Sequence, residues 1–240
     1  MDDVFDRLAA ELEETFRRLE TQVPPPLKEA YKDGFILRYS EKTPQQAMLQ
    51  KFARFISGLH SIRLLLECGF LQEMGVIQRT LDDFEEDILF FTLGIVNDDM
   101  TMRHTEYLNY HWMDERGGSI VKRPQVSRKH IRAYNAKYCG DDPSSMISAG
   151  HKIHKGYSGF VHGSGEAIID MCMSDPPRYF LRGMLDSPLY SDHEQDLWNY
   201  MYRGLVASTC MARVFCDEPL WNERYCSLKN FETAYRSIIF

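Results

Sequence analysis

Residues 48–91, MLQKFARFISGLHSIRLLLECGFLQEMGVIQRTLDDFEEDILFF, decide the fold. Met48, Phe52, Phe55, Leu59, Ile62 and Leu66 recur at steps of three and four, the repeat of one helical face. Phe70, Met74, Ile77, Leu81, Phe84, Ile88 and Phe91 repeat the pattern, and only Cys68 and Gly69 separate the two segments. A junction that short makes the helices antiparallel neighbours with facing stripes. The sequence therefore predicts an all-α fold, a multi-helix bundle built on an antiparallel helical hairpin.

Periodicity extends the bundle in both directions. Asp2–Gln22 reads as an amphipathic helix through Phe5, Leu8, Leu12, Phe16 and Leu19, stopped by Pro24, Pro25 and Pro26. Ala30–Thr43 reads as a connector without assigned structure. Thr101–Glu115 is helical, Arg116–Gln125 a loop, and Ser127–Tyr138 a basic helix that Ser127 caps. Asp142 and Pro143 start a further helix that ends near His162, where Gly163 and Gly165 permit a left-handed turn. Asp175–Pro188 reads as a loop, Ser191–Cys216 as a long helix with Leu197, Met201 and Leu205 inward, and the remainder as a short covering helix. The whole chain, 1–240, is expected to be one all-α domain: an N-terminal helix and connector (1–43), a core (44–170) and C-terminal helices (171–240).

Composition narrows the class. At 240 residues and 44% hydrophobic content the chain can bury a sizeable core. It contains no membrane-length apolar run, and an acidic amphipathic N-terminus stands where a signal peptide would be basic, so a cytoplasmic protein without membrane contact is expected. Six cysteines without a CxxC pair read as reduced and packed. The net charge of −7 is uneven: Gly117–Gly165 carries eight Lys or Arg against two acids. Such a segment either attracts phosphate or docks on the protein's own acidic half.

Two clusters offer chemistry. On the helix ending at His162, Met146, Ile153, Tyr157 and Phe160 mark a core face, while His151, Lys155, Ser158 and His162 form a polar stripe. His162 falls in the last turn, whose free carbonyls favour a cationic side chain, and an imidazole beside an ammonium suits phosphoryl chemistry. The bland reading makes His162 a helix cap, points Lys155 into water and packs Tyr157 with its hydroxyl bonded to a neighbour. In the second cluster Arg79, Asp83 and Glu86 share a face. Exposed, Arg79 and Asp83 form an ordinary intrahelical pair; covered by another helix, the guanidinium becomes a fixed anion-recognition group.

Ile77, Arg79 and Asp83, followed by Tyr157, Ser158, His162 and Ser164, resemble a bacterial helical family allied to the HEPN (higher eukaryotes and prokaryotes nucleotide-binding) superfamily, over roughly Lys51–Ile169. The resemblance implies a helical bundle, often dimeric, whose active members are metal-independent ribonucleases of toxin or phage-defence systems. Lys155 stands where the family carries arginine, and Asp83 shortens the usual glutamate. On this reading His162 is general acid or base, Lys155 and Arg79 stabilise the phosphorane, and Ser158 orients a proton, with no cofactor. RNA, unpaired, is guided by Lys122, Arg123, Arg128, Lys129 and Arg132, and stacks on Tyr134, Tyr138 and Tyr157. Two alternatives stand beside it: a non-catalytic module binding nucleotide, RNA or a partner protein, and a metal-dependent hydrolase using Asp82, Asp83, Glu86 and His162.

Overall fold

The computed structural model describes residues 2–113, 126–138 and 142–236. Lys122, Arg123 and the loop expected around them lie outside the described residues. The elements run α1 (Asp2–Glu20), β1 (Leu27–Tyr31), β2 (Gly34–Arg38), α2 (Pro44–Glu67), α3 (Leu71–Val96), α4 (Met102–His111), α5 (Arg128–Tyr138), α6 (Pro143–His162), α7 (Gly165–Ile169), a 3-10 turn at Asp170–Cys172, α8 (Tyr190–Val214) and α9 (Glu218–Ala234). The fold is a helical bundle with one small antiparallel hairpin of strands.

Local sequence sets the helix ends. Thr43 caps α2 reciprocally: its hydroxyl accepts from the Gln46 amide at 3.2 Å, and its own amide donates to the Gln46 side chain at 3.0 Å. Asp142 accepts from the Ser144 amide at 3.0 Å to start α6, and Gly163, left-handed at φ 61°, stops it after His162. Ser164 then caps α7. The structure places strands where the sequence suggested only a connector: Leu27 pairs with Arg38 and Tyr31 with Gly34 around Lys32 and Asp33. Asp33-Gly34 is a hairpin-turn signal that helical periodicity does not register.

The α2–α3 hairpin forms as its stripes require, with Phe52, Phe55, Leu59, Ile62, Met74, Leu81, Ile88 and Phe91 all buried. Phe70 opens the second stripe yet is exposed, because it is the residue before the helix begins. One apolar core runs from Phe5 in α1 to Phe231 in α9. α3 lies at its centre, packed on α2, α4, α5, α6 and α8. That position explains why Gln78, Asp82 and Asp87 are as buried as its apolar stripe. No described helix is long and apolar enough to cross a membrane.

Gly75 sets the approach of α6 to α3. A Cβ there would lie 2.6 Å from the Phe160 ring, so only glycine lets the two helices close. Gly75→Leu is expected to lower stability by about 1–3 kcal/mol through overpacking, against the gain of about 1 kcal/mol from better helix propensity. Urea denaturation measures it; an unchanged or higher midpoint would show that the contact does not fix the helix spacing.

Candidate functional site: the cleft between α3, α5, α6 and α8

Packing α2, α4, α5, α6 and α8 around α3 forces its acidic run, Asp82 to Asp87, to find partners on other helices. Asp87, 1% exposed, takes Lys51 of α2 at 2.7 Å, Arg128 of α5 at 2.7 Å and the Tyr107 hydroxyl of α4 at 2.5 Å. Burial alone would raise this carboxyl, but Lys51 and Arg128 outweigh it and hold Asp87 below the usual carboxylate range. Asp83 pairs with Arg79 at 2.7 Å and Arg128 at 3.3 Å, and Glu86 with Arg132 at 2.6 Å. Asp82 takes Arg203 at 3.1 Å and the Tyr200 hydroxyl at 2.8 Å, both from α8, and Arg203 also reaches Glu85 at 3.6 Å.

Beside this spine opens a cleft of about 1450 Å³. α3 contributes Asp82, Glu85, Glu86 and Leu89; α5 contributes Arg132 and Asn135. The α6 wall carries Lys152, Lys155, Tyr157, Ser158 and His162, and the α8 wall His193, Asp196, Tyr200 and Arg203. Tyr157 donates to Asp196 at 2.8 Å, so its hydroxyl bridges the α6 and α8 walls. Lys155 and His162 are exposed on the rim, whereas Asp82 and Tyr200 are buried at the floor.

The floor is tuned by desolvation. Burial pushes Glu85 up from 4.5 to about 7, more than nearby Arg203 can offset, so this carboxyl holds a proton over part of the neutral range. Asp82, Glu86 and Asp196 move upward for the same reason. Burial moves His193 the other way, toward the neutral imidazole, and its Nδ1 has no hydrogen-bond partner.

The structure thus brings Lys155, Ser158, His162, Tyr157 and Arg132 to one cleft. Arg79 packs against Asp83 on α3 and is not among the cleft-lining residues described. Asp83, its partner, is likewise not among them. Arg128, expected to guide RNA, instead faces inward on Asp83 and Asp87, and Arg132 on Glu86, so at these positions the basic segment docks on the protein's own acids. Tyr134 and Tyr138 both donate to Asp99, fastening α5 to the turn after α3. Lys129 is exposed. Among the described residues no three His, Cys, Asp or Glu side chains are grouped to hold a metal ion.

Arg203 and the α8 wall were not anticipated, although a signal was present. His193, Asp196, Tyr200 and Arg203 stand at steps of three, four and three, a polar stripe as regular as the apolar one beside it.

Because the folded chain holds the Glu85 proton more tightly than the unfolded chain does, its contribution is complete below pH 4.5 and is lost as pH rises to about 7. Glu85→Gln removes that dependence. Between pH 4.5 and pH 8 the variant is expected to gain about 3 kcal/mol relative to the unsubstituted chain, measured by urea unfolding at both pH values. An unchanged difference would show that Glu85 is solvated. No family model, curated protein or solved structure matches this chain.

Proposed function

We propose that the α3–α5–α6–α8 cleft binds unpaired RNA and cleaves it without metal, in the manner of the HEPN ribonucleases that the α3 and α6 motifs resemble, and in a toxin or phage-defence setting. The observation that carries this reading is that Lys155, Ser158 and His162, one polar stripe of α6, line the same cleft as Glu85, whose carboxyl burial pushes up to about 7. RNA transesterification needs those parts. A base removes the proton from the ribose 2′-hydroxyl, the oxygen attacks phosphorus, the bond to the 5′-oxygen breaks, and an acid protonates the leaving oxygen. His162 and Glu85 are the two proton carriers, and Lys155 stabilises the charge that develops on the phosphate oxygens. Arg203 and Arg132 on the cleft walls are engaged by Asp82 and Glu86, so in this reading the phosphate-directed charge falls to Lys155 rather than to the guanidinium of the family pattern. Lys152, exposed on the cleft wall, takes an outer phosphate in this reading.

A second reading has a specific observation behind it. The lining holds six carboxylates (Asp82, Glu85, Glu86, Glu166, Asp170, Asp196) against four permanent cations (Arg132, Lys152, Lys155, Arg203). Buried Asp82 and partly buried Glu86 beneath exposed Lys152 and Lys155 suit a nucleotide held by its phosphate outside and its base amines inside, with no reaction needed.

One assay separates the two. The purified chain is incubated with single-stranded RNA in EDTA, beside His162→Ala and Lys155→Ala. Cleavage to cyclic-phosphate and 5′-hydroxyl ends, lowered by about 100-fold or more in His162→Ala, is the expected result. Salt-sensitive binding without turnover establishes the module instead. Cleavage that requires metal, or that is indifferent to His162, refutes the mechanism.

A further inference from the structure

The strand hairpin stands apart from the cleft and raises a separate question. β1 and β2 pack chiefly on each other, and neither pairs with a third strand among the described residues. Two strands alone are marginal in water, and a free edge presents unpaired amides and carbonyls to any matching strand. Phe35 and Leu37, on one face of β2, are 58% and 57% exposed. Something must account for a projecting hairpin whose most apolar strand is left at an edge.

The register shows which groups are free. Tyr31 and Gly34 flank a two-residue turn, so they bond to each other, and Glu29 with Ile36 and Leu27 with Arg38 follow at every second position. The amides and carbonyls of Phe35 and Leu37 therefore point away from β1. Those of Lys28 and Ala30 point away from β2.

Charge distinguishes the two edges. If β1 met a copy of itself antiparallel, each register that joins its outward groups would set Lys28 against a lysine or Glu29 against Glu29, and like charges directly opposite are destabilising. β2 meets no such obstacle, because Gly34, Phe35, Ile36 and Leu37 are uncharged. With a two-fold axis at Ile36, Phe35 of each copy lies opposite Leu37 of the other. The outward amides and carbonyls of both residues are then satisfied at once, and the four apolar side chains gather on one face. Lys28, whose ammonium sits 4.8 Å from the Phe35 ring centroid, covers the flank of that face, and the Glu29–Arg38 pair at 3.3 Å occupies the other.

From this self-complementarity we infer that the chain forms a two-fold dimer through β2, joining two hairpins into one four-stranded antiparallel sheet. The occupant of the free edge is a second copy of this chain. A closed two-fold contact also ends the pairing, since the outer β1 edges carry the charges that block further addition.

Proline separates the edges cleanly, because it deletes one amide and is tolerated where that amide faces outward. Sedimentation equilibrium is run on the full chain, Leu37→Pro and Ala30→Pro, with helical content followed by circular dichroism. The expected result is a dimer whose dissociation constant rises by about tenfold or more in Leu37→Pro and holds in Ala30→Pro, at unchanged helicity. A monomeric unsubstituted chain overturns the inference. A dimer that survives Leu37→Pro, or that weakens equally in Ala30→Pro, overturns it as well.

Discussion

The Asp87 carboxylate is the contact on which the arrangement of helices depends. It is almost fully buried in α3 and gathers Lys51 from α2, Tyr107 from α4 and Arg128 from α5. Removing one partner of such a buried set costs on the order of 3–5 kcal/mol, because a desolvated charge is left behind. The exposed pair of α1, Arg17 with Glu20, contributes about 0–1 kcal/mol and lies within one helix. Asp82 and Glu86 extend the same logic along α3, to Arg203 of α8 and Arg132 of α5. A helix that is acidic and central must recruit its counter-charges from whatever packs on it.

That requirement shapes what is left for a ligand. The cations on the inner face of α5 are committed to α3, so the unengaged positive character sits on the rim, at Lys152 and Lys155 beside His162. The floor keeps Glu85, which burial pushes up to about 7, and Tyr157 and Tyr200 lock the walls to one another through Asp196 and Asp82. Walls tied together by hydrogen bonds, a floor that contains Glu85 and a rim that carries Lys152 and Lys155 are what the proposed anionic ligand would meet. The proposed chemistry follows from that division between floor and rim.

The sequence carried the core plainly. Apolar residues at steps of three and four fixed the α2–α3 hairpin, and Gly163 marked the end of α6. The polar stripe of α6 was legible for the same reason, as spacing along one helix. Partnerships between helices were not: Arg79 is as near to Asp83 in sequence as in space, whereas nothing in the chain order brings Arg203 to Glu85 or Arg128 to Asp87. The basic segment could have faced water or its own acids, and the burial of α3 decided for Arg128 and Arg132. The strands at 27–38 escaped a reading tuned to helical repeats, since five-residue strands show too few turns of any pattern.

The central claim is that α5 is held to α3 by charge, through Asp87 and Arg128. A double-mutant cycle by urea unfolding, with Asp87→Asn, Arg128→Met and the pair together, measures that coupling directly. The account requires the two substitutions to be non-additive by more than about 1 kcal/mol. Additive effects would mean that Arg128 is free of the acidic spine, and would return the basic helix to the solvent.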